Sequence, residues 1–195
     1  MPLPAFDGAD ELVEAIDAAV ALREPAAITA RLGAALARLI ATGHVRLPAA
    51  VFQADSQRYS RRQLYQSAEH GYSVIAMTWG PGQGTLIHDH DGQWCVEGVW
   101  AGQVEITPYE LLEAAPAGDR VRFRALAPIS AGTGSTGCLI PPFDFHTLHN
   151  PDARAVAVTV HVYAQAMARC AVFEPGAGGW FRKRERRLTL DPLPA

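Results

Sequence analysis

Between Tyr72 and Ala164 the chain is a succession of short β-rich runs, and nothing else in it constrains the fold as tightly. YSVIAMTWG, TLIHDH, WCVEGVWAG, QVEITPYEL, RVRFRAL, GCLIPP and AVAVTVHVYA are broken by GPGQG, AG, PAGD, SAGTGSTG and NPDA. The runs are rich in β-branched and aromatic residues, and the breaks are rich in the residues that make turns. Many short strands at this spacing predict an all-β barrel or sandwich.

Residues 9 to 43 read differently. Leu12, Val13, Ile16, Ala19 and Val20 share one helical face, and Ile28, Leu32, Ala35, Leu36, Leu39 and Ile40 share another. Asp7 or Asp10 is placed to cap the first helix, Pro25 separates the two, and Gly43 is placed to end the second. At 195 residues, with 49% hydrophobic and 19% charged side chains, the expectation is one domain over 1–195 with a sizeable core.

A net charge of -3 gives no electrostatic case for nucleic acid or a membrane surface as partner. The one charge run, Arg182 to Arg187 (RKRERR), reads as a solvated face. Cys95, Cys138 and Cys170 form neither a CxxC nor an even-numbered framework, which suits a reducing compartment. The acidic start lacks a basic segment followed by an apolar one, and no apolar run reaches spanning length. A cytoplasmic location is expected.

Two histidines, His88 and His90, lie one residue apart in an apolar run. His-x-His on a strand turns both imidazoles to one face, since side chains alternate. That pair alone is either half of a metal site or structural. His146 and His161 also fall in or beside β-rich runs, whereas His44 and His70 carry no argument.

The wider pattern narrows the choice. Gly82, His88, His90, Cys95 and Gly102 follow the spacing Gly-x5-His-x-His-x4-Cys-x6-Gly. This resembles the first motif of the cupin superfamily, with Cys95 where a glutamate normally stands. Pro141, His146 and Asn150 resemble the second motif, with Phe143 replacing its glycine. Within the superfamily, cysteine at that position resembles the thiol dioxygenases, and among them the type I cysteine dioxygenases. DFHTLHN (Asp144 to Asn150) matches that family's third-histidine segment, and Thr159, His161 and Tyr163 match its Ser-His-Tyr relay with Thr for Ser. Tyr59 and Arg61 match its Tyr-x-Arg, and Cys170 matches a further cysteine. The resemblance covers about residues 55 to 175. Trp94, Glu97 and Trp100 depart from the cysteine-specific members, and WGPGQ (Trp79 to Gln83) looks more like the 3-mercaptopropionate dioxygenases.

The resemblance implies a single cupin, a jelly-roll-like β-barrel carrying an N-terminal helical layer. It implies Fe(2+) on His88, His90 and His146, with His146 chosen over His149. Three neutral imidazoles leave the full +2 charge uncompensated, so an anionic ligand such as a thiolate is favoured. The implied reaction adds O2 to the sulfur of a small carboxylated thiol, giving a sulfinic acid. L-cysteine is the first choice, with 3-mercaptopropionate or mercaptosuccinate as the alternative. Arg61, assisted by Tyr59, is implied to clamp the carboxylate through its planar fork, with Arg62 as the neighbouring alternative. The alternation of Thr159, His161 and Tyr163 with Val158, Val160 and Val162 puts the polar groups on one face. There Thr159 can fix the tautomer of His161, and His161 can orient the Tyr163 hydroxyl. Cys95 and Tyr163 can join in a thioether, as in some family members. Two rival readings remain: a ligand-binding cupin without catalysis, and a zinc or manganese isomerase or hydrolase.

Overall fold

The computed structural model describes residues 6–116 and 119–193. Residues 1–5 of the acidic start and 117–118 of the PAGD turn lie outside the described residues. Helices α1 (Ala9–Val20) and α2 (Pro25–Thr42) come first, followed by a 3-10 turn at Ala49–Phe52. The strands are β1 (Ser60–Gln66), β2 (Ser73–Trp79), β3 (Ile87–His88), β4 (Cys95–Ala101), β5 (Gln103–Ala114) and β6 (Arg120–Ala125). They continue with β7 (Ile129–Gly132), β8 (Thr136–Leu139), β9 (His146–His149), β10 (Ala157–Tyr163), β11 (Arg169–Pro175) and β12 (Phe181–Arg187).

All strand pairs are antiparallel and make two sheets, in the orders β1-β2-β10-β4-β8 and β6-β12-β11-β3-β9-β5-β7. The long β5 pairs with β7 and β9 along its first half and with β6 along its second, so the larger sheet curls on itself. The expected mainly β, jelly-roll-like fold with a helical layer is present. Its sheets face one another as a two-sheet jelly roll and do not close into one continuous barrel.

The position of β10 shows why the sequence folds this way. It is the middle strand of the smaller sheet, and all seven of its residues are buried. Val158, Val160 and Val162 face outward under the helices, in one core with Leu12, Ile16, Leu32 and Leu36. Burying such aliphatic side chains is worth about 1.5–3 kcal/mol each. At Gly98 on β4, an added Cβ would lie 3.2 Å from the Ile40 side chain, so the missing side chain is what lets α2 sit this close. The other face of β10 turns into the space between the sheets, where Ile75, Met77, Trp79, Cys95 and Leu148 form a second core. A third cluster, of Phe123, Phe145, Phe173 and their neighbours, fills the curl of the larger sheet.

The helix ends depart in part from expectation. Neither Asp7 nor Asp10 caps α1; Gly8 holds that position at φ 76° with no side-chain cap, and Asp10 sits in the first turn. In α2, Glu24 is the cap, accepting from Ala27 N at 2.9 Å, with Pro25 as first residue and Gly43 ending the helix at φ 66°. The RKRERR run is strand β12, and its side chains are exposed as expected. No described helix is long and apolar enough to cross a membrane.

Candidate metal centre and substrate pocket

His88 and His146 are direct neighbours across the β3–β9 pair, and His90 follows just beyond the end of β3. The three rings sit with centroids 4.6–5.3 Å apart, and their candidate ligand atoms all lie within 4.8 Å of one another. Each Nδ1 faces an oxygen acceptor: His88 the Leu86 carbonyl at 3.1 Å, His90 the Asp144 carboxylate at 3.2 Å, His146 the Asp144 carbonyl at 3.2 Å. Each Nδ1 therefore carries the hydrogen, and the three Nε2 lone pairs are left to converge. Asp144 also accepts from His90 N, so one residue aims two of the three rings.

These residues fit a transition-metal ion. Nε2 of His146 is buried with no hydrogen-bond partner, an arrangement that costs stability unless something binds there. Burial pushes His88 down to about 3 and His146 well below its usual value, each helped by its histidine neighbours, so both stay neutral and able to ligate. His149 lies on the opposite face of β9 and is exposed.

A narrow pocket leads to His88. Tyr59, Arg61, His161, Tyr163 and Cys170 line it, with Arg186 at its rim. Among the described residues that line it there is no carboxylate. The period of two along β1 decides how the two arginines point. Arg61 faces the pocket and is 3% exposed. Its Nη1 has one long bond to Thr189 O at 3.4 Å, while Nε and Nη2 are buried without a partner. No carboxylate among the described residues pairs with it. Arg62 faces the other way, donating to Thr78 Oγ1 and Gln53 O at 2.9 Å each, under the 3-10 turn. Tyr59 stacks on Trp79 with centroids 4.7 Å apart.

Thr159, His161 and Tyr163 share the inner face of β10 as the alternation predicts. Thr159 Oγ1 bonds His161 Nε2 at 2.7 Å and accepts from Trp79 Nε1 at 2.9 Å. The expected bond from His161 to the Tyr163 hydroxyl is not formed. The second nitrogen of His161 faces Glu97 Oε2 at 3.4 Å instead, and the Tyr163 ring lies flat beside it, 5.9 Å away at 12°. Cys95 is the direct cross-strand neighbour of Tyr163, and both are buried. Residues opposed in this way bring their side chains within contact range. Trp94 and Trp100 pack on the helix side of the sheet, so neither crowds Cys95.

Sequence reasoning misses three residues. Asp144 enters it only as part of a motif, although an aspartate two residues before a ligand histidine is a usable signal for a carboxylate that orients the rings. Glu97 enters as a departure with no role. Arg186 reads as solvated and is exposed, yet it also lines the pocket at His88, a placement that reading does not include.

The family model described as cysteine dioxygenase type I matches residues 44–175. Among solved structures, the chain is similar to TT1209 from Thermus thermophilus, with 18% identity over 58% of this chain and 89% of that one and a TM-score of 0.43. It is similar to an uncharacterized conserved protein with a double-stranded beta-helix domain from Klebsiella pneumoniae subsp. pneumoniae, at 15% identity over 71% and 98%, TM-score 0.44. A third likeness is to an oxalate oxidase in complex with glycolate, at 17% identity over 61% and 59%, TM-score 0.41. These likenesses are remote. The match to the family takes in most of the chain and every motif described above, so this protein belongs to the cysteine dioxygenase type I family of thiol dioxygenases.

Proposed function

We propose that the protein is a non-haem Fe(II) dioxygenase that converts a small carboxylated thiol, L-cysteine as first choice, to its sulfinic acid in the cytoplasm. The observation that carries this reading is Arg61: a buried guanidinium with two unpartnered donor nitrogens, facing the pocket that His88 of the histidine cluster also lines. An arginine cannot shed its charge, so such a group calls for an anion from outside the fold. A carboxylate matches its fork and would satisfy both free donors.

Held by His88, His90 and His146, Fe(II) would supply the redox centre at which RSH and O2 combine to RSO2H. The chain's own residues do the rest. Arg61 fixes the carboxylate end, so the sulfur is held at a set distance from the histidines and does not swing freely. Tyr59 packs the carboxylate side of the pocket, and burial raises its phenol, so it acts as a hydrogen-bond donor. Tyr163 stays protonated for the same reason, and its ring lies 6.2 Å from that of His90 between centroids. A hydrolytic zinc site needs a general base beside its water. The pocket at His88 has no Asp or Glu in its lining, and Glu97, on the cavity beside His146, faces His161 at 3.4 Å.

A second reading of the substrate rests on Arg186. It lines the same pocket as Arg61, so two cations face one ligand. That favours a thiol with two carboxylates, such as mercaptosuccinate, over one bearing an ammonium group. The test is O2 uptake by iron-loaded protein with L-cysteine, 3-mercaptopropionate, mercaptosuccinate and cysteamine. One O2 consumed per carboxylated thiol, with sulfinate as product and cysteamine poor, supports the reading. No uptake with any carboxylated thiol overturns it.

A further inference from the structure

Glu97 is a carboxylate inside an otherwise apolar wall. It stands directly opposite His161 in the β4–β10 register and opposite Gly137 in the β4–β8 register. Glu97 is 6% exposed and His161 2%. Oε2 of Glu97 and Nδ1 of His161 are both sealed from solvent with no partner meeting full hydrogen-bond geometry, and they face each other at 3.4 Å. The space for this carboxylate is built in: a Cβ on Gly137 would lie 3.3 Å from its Oε1 and 3.4 Å from its Cγ.

We propose that Glu97 is a positioning residue that sets the tautomer of His161 and thereby the direction of the hydrogen-bond chain behind the substrate pocket. The inference rests on the dioxygenase reading for its consequence in turnover, but not for its geometry. The donors assign the chain. Trp79 Nε1 can only donate, so it donates to Thr159 Oγ1. The Thr159 hydrogen then needs an acceptor, and His161 Nε2 at 2.7 Å is the one available. Nδ1 of His161 must in that case carry the other hydrogen and donate to Glu97 Oε2. The links from Trp79 through Thr159 to His161 run in this one direction when Glu97 is ionised, and the 3.4 Å contact of Nδ1 with Oε2 completes the line. A protonated Glu97 reverses the last two links: it donates to Nδ1, the hydrogen of His161 moves to Nε2, and Thr159 accepts twice.

Either way the imidazole is held at both nitrogens. A ring held at both ends is a fixed wall for the pocket and a fixed rest for the Tyr163 ring stacked beside it. This explains how His161 acts without bonding the Tyr163 hydroxyl. The other titratable groups around Glu97 are Tyr163 on β10, Cys95 on its own strand and Cys138 on β8. Burial raises all three, so they remain neutral through the neutral range. His146, across the neighbouring cavity, is held neutral as well. The charge that changes near neutral pH is that of Glu97, which burial pushes up to about 7.

The experiment is 15N NMR of the histidine rings in the full chain with diamagnetic Zn(II) added, for the parent, Glu97→Leu and Glu97→Gln. The His161 signals are identified by their loss in His161→Asn. In the parent, above the titration of Glu97, the hydrogen should reside on Nδ1, and it should shift toward Nε2 as the pH falls through neutrality. Glu97→Leu should hold it on Nε2 at every pH, and Glu97→Gln should abolish the pH response. In the oxygen assay, Glu97→Leu should lower kcat at least about tenfold with the thiol KM unchanged, and Glu97→Gln, which still bonds Nδ1, should recover most of it. His161 signals that are identical in all three proteins overturn the proposal. A tautomer shift in a protein that oxidises no thiol would leave the positioning role intact and remove the dioxygenase reading.

Discussion

Replacing Arg61 by methionine should stabilise the protein while disabling it. The wild-type side chain buries a permanent charge with Nε and Nη2 unpaired, and its one bond, to Thr189 O, is 3.4 Å long. Each buried unsatisfied donor costs about 1–3 kcal/mol, and the lost bond is worth about 1 kcal/mol. Methionine fills a similar length without polar atoms and adapts to irregular space. The net gain should be about 2 kcal/mol, which for a chain of this size raises Tm by about 4–8 °C. Arg62 is the control. Its Nε is also unpartnered, but its two 2.9 Å bonds, to Thr78 and Gln53, are lost in Arg62→Met, so on balance that variant should lose about 1 kcal/mol. Thermal unfolding of the metal-free chains reads both signs. Loss of a buried charged contact to substrate is worth about 2–5 kcal/mol, so kcat/KM for carboxylated thiols should fall at least about 30-fold in Arg61→Met. Cysteamine turnover should barely change. The reasoning fails if Arg61→Met melts below the wild type, because the guanidinium would then have a partner in the free protein and would not be waiting for a ligand.

His146→Ala should abolish metal retention, measured by elemental analysis after dialysis, whereas His149→Ala, on the exposed face of β9, should retain the wild-type content. Glu97 should also be visible in stability: its carboxyl ionises near 7 when folded against an ordinary 4.5, so the folded chain keeps a proton that the unfolded one has lost between those values. Stability then falls as pH rises through that window, by about 3 kcal/mol in total. Glu97→Gln should remove that share of the slope in urea unfolding between about pH 5 and about pH 8, and superimposable pH profiles for the two proteins would refute it. The opposed pair Cys95 and Tyr163 should form a thioether in a fraction of molecules after turnover with O2 as oxidant, two hydrogens being lost. Peptide mass mapping should find the cross-linked pair lacking two hydrogens, absent in Cys95→Ser, and only free Cys95 after many turnovers would rule it out.

The sequence is most legible where one face of a strand is apolar and the other is not. β10 reads directly from alternation, and the helical layer from its two apolar stripes. β9 is four residues long and β12 is almost wholly charged, so neither carries a periodicity strong enough to announce a strand, whereas the two-residue β3 falls inside the TLIHDH run. The candidate metal ligands can be chosen because their spacing repeats a known motif, and of the two histidines on β9 it is His146 that is buried beside His88 and His149 that is exposed. What spacing cannot supply is register. Alternation says that Glu97 and His161 each face inward, but only the pairing of β4 with β10 puts one opposite the other. The same holds for Cys95 and Tyr163. It holds again for Trp79, whose indole reaches Thr159 because β2 flanks β10 on its other edge.

That placement ties the chemistry to the rest of the fold. α1 and α2 contribute no side chain to the pocket, yet they cover the face of β10 and β4 that lies directly behind it. Val158, Val160 and Val162 alternate with Thr159, His161 and Tyr163, so any shift of β10 that relaxes the helix interface moves the relay by the same amount. The relay tolerates little movement. Thr159 and His161 are 2.7 Å apart, Trp79 and Thr159 2.9 Å, and each group is buried away from the solvent that could replace a broken link. A buried polar chain of this kind is costly when partly satisfied and rigid when fully satisfied. The helical layer therefore does for the relay what Asp144 does for His90 and His146: it fixes an orientation from behind.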